Sequence, residues 1–230
     1  MASGERRHTA ILAAILIAWP LAFARGAPAD ADVAAAEALA RTLYHEGVPY
    51  AEARELGAAD VARLIEMLDD PDEVRHRAQI VEVLGMSGGP GAYDAVARAA
   101  AAAPTGEVDG AIYRTRVAVL VALGHLARSD DRALSDLSDA AAPGRGAPAW
   151  SYRHLRGPAL AALLRRSAAT ALAMSGRPRA KTLLRQLRSD PRTTREFGEH
   201  LEGALRLHGR VAREGAAKAF GRDAFDGAER

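Results

Sequence analysis

Val61, Leu64, Ile65 and Leu68 fall at i, i+3, i+4 and i+7, the spacing of one apolar stripe on an amphipathic helix. The run "DDPDE" at 69–73 then breaks the stripe. Pro71 suits the first turn of a following helix, and the acids around it favour that helix's positive end. The second helix carries Val74, Ala78, Val81 and Gly85 along one side, with Ile80, Val83 and Leu84 beside them. So broad an apolar surface needs more than one neighbour. Residues 60–86 therefore predict a helical hairpin that cannot bury its own faces and requires another stacked on it.

The rest of the chain supplies echoes of that hairpin. "RHRAQIVEVLG" at 75–85 returns as "RTRVAVLVALG" at 114–124, with Arg at the first and third positions and a terminal Leu-Gly. "LGMSGGPGAYDAV" at 84–96 aligns with "LAMSGRPRAKTLL" at 172–184, and "LGHLARSDDRAL" at 123–134 is a looser version. "DPDEVR" at 70–75 matches "DPRTTR" at 190–195, which is 120 residues away. Three periods of about 40 residues fit that distance, and two-helix solenoids have periods of this size. The spacing is uneven. The Leu84, Leu123 and Leu172 markers lie 39 and then 49 residues apart, and Ala204-Leu205 stands where a fourth Leu-Gly is expected.

Over about residues 50–210 the chain resembles the HEAT repeat family and its bacterial HEAT-like branch. The resemblance implies an all-α fold, an α-solenoid of about four HEAT-like helical hairpins wound as an α-α superhelix. It also implies a ladder between repeats, in which an acid in the turn bonds an Arg early in the second helix. Asp69 or Asp70 with Arg75, Asp109 with Arg114, and Asp190 with Arg195 match that pattern. The branch includes bilin lyases, but a shared fold and no Cys do not carry that activity here. The expected organisation is an N-terminal helical cap at 33–58, the solenoid at 59–210 and a helix or tail at 211–230.

The ten extra residues of the third repeat fall in "AAPGRGAPAWSYRHLRG", 141–157, whose Pro and Gly mark a loop. Loops inserted in solenoids cluster on one face, often the binding face. Trp150, Tyr152, Arg153, His154 and Arg156 crowd this loop, at 143–157, and aromatics and Arg are enriched at interaction hot spots. Two readings stand: the aromatics contact a partner, or they fold back to cap the neighbouring hairpins.

Polarity at the start of the chain adds a destination. Arg6 and Arg7 precede an apolar run from Ala10 to Leu21, and Ala22-Phe23-Ala24 ends it. That is the layout of a signal peptide over 1–24, shorter than a span of about 20 apolar residues. An uncleaved anchor is the other reading. Cleavage would give an exported, periplasmic or secreted protein with no membrane span, led by a disordered stretch at 25–32. The absence of Cys excludes disulfides, a thiol nucleophile and thiolate metal sites.

Charge is unevenly distributed although the net value is only +2. Residues 25–144 hold 11 Arg and no Lys against 20 acids, whereas 145–222 hold 17 Arg and Lys against 5 acids. Opposed ends attract, which allows head-to-tail self-association or an anionic partner at the basic half. Arg165 and Arg166, following the loop, extend the candidate partner site. Nucleic acid is not expected, because the basic half lacks interleaved aromatics for base stacking.

No reaction is legible. Outside the leader, His45, His76, His125, His154, His200 and His208 are scattered, without His-Glu-x-x-His spacing. Glu196 and His200, at i and i+4, could hold a metal only with distant help. "DDPDE" lacks the ligand spacing of a calcium loop, and "GMSGGPG" lacks the Lys-Ser/Thr of a phosphate loop. Ser87 has no base or orienting acid at a readable spacing. The expected role is a non-catalytic scaffold or adaptor that binds another protein and needs no cofactor. The alternative is a module that binds an anionic envelope component through the basic half, and an enzyme with a dispersed site is a distant third.

Overall fold

A computed structural model describes residues 29–220 except 43, 45, 46, 103 and 145, with only the backbone described for 29–32. The expected signal peptide and the last ten residues lie outside the described residues. Eleven α-helices dominate these residues, so the fold is all-α, with two two-residue strands. None of the helices is long and apolar enough to cross a membrane. The helices are α1 (Ala29–Arg41), α2 (Tyr50–Glu55), α3 (Ala58–Asp69), α4 (Arg77–Ser87), α5 (Ala92–Ala101), α6 (Gly110–Leu126), α7 (Asp131–Ala141), α8 (Gly157–Met174), α9 (Pro178–Ser189), α10 (Pro191–Glu214) and α11 (Ala216–Phe220). Helix α1 starts inside the stretch expected to lead the fold as disordered chain.

From α3 onward the helices pack as consecutive pairs, and their second members touch in order: α4 on α6, α6 on α8, α8 on α10. The Leu-Gly echo explains this seam. Gly85 faces Ala122, and a Cβ on it would lie 2.4 Å from the Ala122 Cα. Gly124 repeats the contact one pair later, where a Cβ would lie 3.0 Å from the Ala171 Cα. Only hydrogen fits there. Ala122 and Ala171 immediately precede the marker leucines, so one register serves both junctions. Leu84 and Leu172 are fully buried and Leu123 nearly so.

The Met-Ser-Gly echo is a helix stop. Ser87 Oγ donates to the Leu84 carbonyl at 2.9 Å, and Ser175 Oγ donates to the Leu172 carbonyl at 2.7 Å. Gly88 and Gly176 then turn left-handed at φ 62° and 64°, a conformation that glycine adopts without steric cost. The Asp-Pro echo is a capped turn. Asp70 accepts from the backbone N–H of Asp72, and Asp190 from that of Thr193.

Pro71 does not open α4, as its position in the sequence suggests. It opens a short 3-10 turn, Pro71–Glu73, and α4 begins only at Arg77. The bend leaves Val74 36% exposed instead of on the buried side. The matching turn after Pro191 breaks at Phe197 (φ −154°, ψ 37°), which bends α10. The implied Asp–Arg ladder is also absent among the described residues. Asp70, Asp109 and Asp190 cap helix starts, and Asp69 pairs with Arg98. A capping carboxylate satisfies an orphan N–H at the helix end, and that use competes with reaching a neighbouring guanidinium.

The ends are tied in. Helix α1 covers α3 and α4, and Arg41 pairs with the buried Glu73. Helix α11 rests on α10 and returns to α2.

Candidate functional site

The inserted loop is pinned rather than free. Its strand β2 (Trp150–Ser151) pairs in parallel with β1 (Gly106–Glu107), so two connecting segments are joined by backbone bonds. Trp150 is 8% exposed and packs with Val108 and the fully buried Leu160. Tyr152 stacks on Tyr113 with centroids 4.3 Å apart. Tyr152 and Leu155 exchange backbone hydrogen bonds of 2.9 Å, closing a turn in which Arg153 takes φ 52°. The Arg153 guanidinium lies 5.1 Å from the Tyr152 ring centroid.

Of the seven residues expected to meet a partner, Arg153, His154, Arg156 and Arg166 are exposed. Trp150 points inward, and Tyr152 is half-buried against the hairpins. Arg165 is half-buried and pairs with Glu196. The structure does not gather the seven onto one open face.

It does gather a different set. Between α3 and α4 on one side and α5 and α6 on the other lies a groove of about 480 Å³. Val74 and Ile112, 36% and 37% exposed, stand on its walls as the exposed large apolar side chains among the described residues. Arg77 and Arg116 also line it. Pro104 and Arg116 also line an adjoining groove of about 400 Å³, which reaches Trp150 and Arg165.

The three arginines share one repeat position. Each stands seven residues before a marker leucine: Arg77 before Leu84, Arg116 before Leu123, Arg165 before Leu172. Seven residues are two helical turns, so each guanidinium leaves the same side of its helix. Arg116 donates from Nη1 to the Ala99 and Ala100 carbonyls at 3.3 and 2.6 Å. Arg77 reaches the Asp70 carbonyl at 3.4 Å, and its buried Nε has no partner among the described residues. Neither pairs there with a carboxylate. Burial lowers the pKa of Arg116 from its ordinary value, but a guanidinium stays charged. The groove therefore joins apolar walls to cationic donors that are only partly satisfied, a combination suited to an acidic segment that also carries an apolar side chain.

Arg77 and Arg116 were legible only as the third letter of the echo. The repeat showed that they recur, but not that they face a groove.

His200 and His125 serve the fold. His200 Nε2 lies 2.9 Å from Thr170 Oγ1 and 3.0 Å from the Arg166 carbonyl, and Glu196 belongs to Arg165. No group of three or more metal-ligating side chains occurs among the described residues. His125 is buried between Tyr50 and Phe220, with ring centroids at 5.4 and 5.5 Å. Burial, then Arg128 and Arg54, hold its pKa down at about 4.

That depression has a measurable consequence. The unfolded chain takes up the proton near the ordinary 6.5, the folded chain only near 4. Stability should therefore fall as pH drops from about 6.5 to 4 and level off below, by on the order of 3 kcal/mol from this residue. Urea unfolding at both pH values should show a smaller loss for His125→Leu. An identical loss in both proteins would remove His125 from the acid response.

No family model matches the chain, and no curated protein is significantly similar to it.

Proposed function

We propose that this chain is a HEAT-like α-solenoid acting as a non-catalytic interaction scaffold of the cell envelope, with the groove between α3–α4 and α5–α6 as its partner site. The pairwise packing of α3 to α10 and the seam repeated at Gly85 and Gly124 support the architecture. The signal-like leader supports export. One observation carries the site: a largely apolar groove lined also by Arg77 and Arg116, neither paired with a carboxylate among the described residues. Arg153, His154 and Arg156 are exposed on the inserted loop.

The test is capture of a protein partner from envelope extract at two salt concentrations. Val74→Glu with Ile112→Glu should weaken capture about 10-fold or more, the size expected when anchor contacts at a hot spot are lost. Both side chains are partly exposed, so the fold should persist, as checked by circular dichroism. Wild-type capture by the double variant would discard the groove.

A second reading has its own support. Helix α9 carries no acid and exposes Arg179, Lys181 and Arg185, a surface for an anionic envelope polymer or lipid. Binding there would weaken steeply with salt. It would survive the groove substitutions and disappear when these three residues become Glu.

A further inference from the structure

We infer that α11 is a latch between the two ends of the helix series, and that a proton on His125 releases it. The latch is a cluster of three rings from distant parts of the chain: Tyr50 on α2, His125 near the end of α6, and Phe220 at the end of α11. The His125 ring centroid lies 5.4 Å from that of Tyr50 and 5.5 Å from that of Phe220. Tyr50 and Phe220 are 6.1 Å apart, so each ring meets the other two. Through this cluster α11, which follows the last helix pair, closes back on α2, which precedes the first.

The centre of the cluster suits a neutral ring only. His125 is 6% exposed, and its buried Nδ1 has no hydrogen-bond partner among the described residues. A proton placed there finds no acceptor. Burial first, then Arg128 and Arg54, disfavour a cation at this position. Arg54 on α2 donates to the Met86 and Ser87 carbonyls at the end of α4, at 3.3 Å each. Arg128 donates to the Tyr50 hydroxyl and lies 5.9 Å from that ring's centroid. Glu52 and Glu55 are exposed, about 140–160° around α2 from Tyr50. Arg177, before α9, reaches the Ala127 carbonyl at 3.4 Å and pairs with Asp131 at 2.7 Å. On α10, His208 Nε2 lies 2.8 Å from the Arg177 carbonyl, and Lys218 on α11 is exposed. None of the described carboxylates pairs with His125.

Helix α11 is the neighbour that can give way. It has five residues and buries only Ala216 and Ala219 besides the half-buried Phe220, and so short a helix does not hold without its contacts. Gly215 joins it to α10 at φ 80°, with open space where a Cβ would stand. Undocking α11 lets water reach an imidazolium while α6 keeps its seam with α4 and α8, a local opening rather than a global one. The docked ring takes its proton only near 4, a solvated one near the ordinary 6.5. The latch therefore holds fully above about pH 6.5 and weakens as pH falls toward 4. Acid thus unties α10 from α2 and uncovers the Tyr50 ring.

The test is hydrogen exchange of the full chain, read by mass spectrometry at about pH 7 and about pH 4.5 and corrected for the intrinsic pH dependence of amide exchange. The opening constant of α11 should rise about 50-fold between the two conditions, while α6 and α8 stay protected. His125→Leu should remove the rise. Phe220→Ala attacks the latch from the other side. In that variant α11 should exchange freely at neutral pH, and the His125 pKa, followed by NMR, should move from about 4 toward the ordinary 6.5. A rise smaller than about 3-fold, an equal rise in His125→Leu, or an equal loss of protection across α6 would each overturn the inference. So would a His125 pKa that Phe220→Ala leaves unmoved, a result that does not depend on how the His125 variant folds.

Discussion

Trp150→Ala is expected to destabilise the fold by about 3–5 kcal/mol. The ring is 8% exposed and packs with Val108 and the fully buried Leu160 in a small cluster separate from the main core. Tyr113 meets it edge-on at 6.5 Å and stacks in turn on Tyr152. Removing the indole empties the centre of that cluster and loosens the pairing of 106–107 with 150–151. Arg153→Ala is the contrast, because its side chain is exposed and lies only over the Tyr152 face. It should cost less than about 1 kcal/mol. Chemical denaturation of both variants separates a packing role from a surface one. A Trp150→Ala chain as stable as wild type would return the indole to the list of side chains free to meet a partner.

Gly85→Ala should cost about 3 kcal/mol or more, although alanine is the better helix former by about 1 kcal/mol. The added methyl would lie 2.4 Å from the Cα and 2.8 Å from the carbonyl oxygen of Ala122. Those are backbone atoms of a packed helix and cannot rotate away, so α4 and α6 must separate along their shared length. Gly203→Ala on α10 is the matched control. The nearest atom to its added methyl is the far end of the Arg206 side chain, at 3.9 Å. It should stabilise by about 0.5–1 kcal/mol through helix propensity and the stiffer unfolded chain. The two substitutions are chemically identical, and opposite signs in thermal or urea unfolding would show that the seam, not glycine as such, matters. Gly85→Ala with unchanged stability would mean that α4 and α6 do not meet at this register.

The sequence by itself determined the helical class and most of the local devices. Apolar spacing marked α3 and the buried face of α4 around Leu84. Met-Ser-Gly marked the ends of α4 and α8, and Asp-Pro marked the capped turns at Asp70 and Asp190. These are interactions between residues a few positions apart, so their chemistry is written in short words that can be compared along the chain. Even so, a short word can mislead. Pro71 read as the start of α4 because a 3-10 turn and an α-helix accept the same first residue.

Only the tertiary structure decided what the recurring arginines and the loop aromatics face. Arg77 and Arg116 look like solvated charges in the sequence, and the groove between them exists only once α4 and α6 are in contact. The inward turn of Trp150 depends on Gly106–Glu107, more than forty residues earlier, offering a strand edge to its loop. Three aspartates expected to join repeats cap helices instead, because backbone N–H groups two or three residues away are nearer than any guanidinium. Burial and long-range pairing are properties of the packed chain, and periodicity along the sequence records only that some neighbour is required.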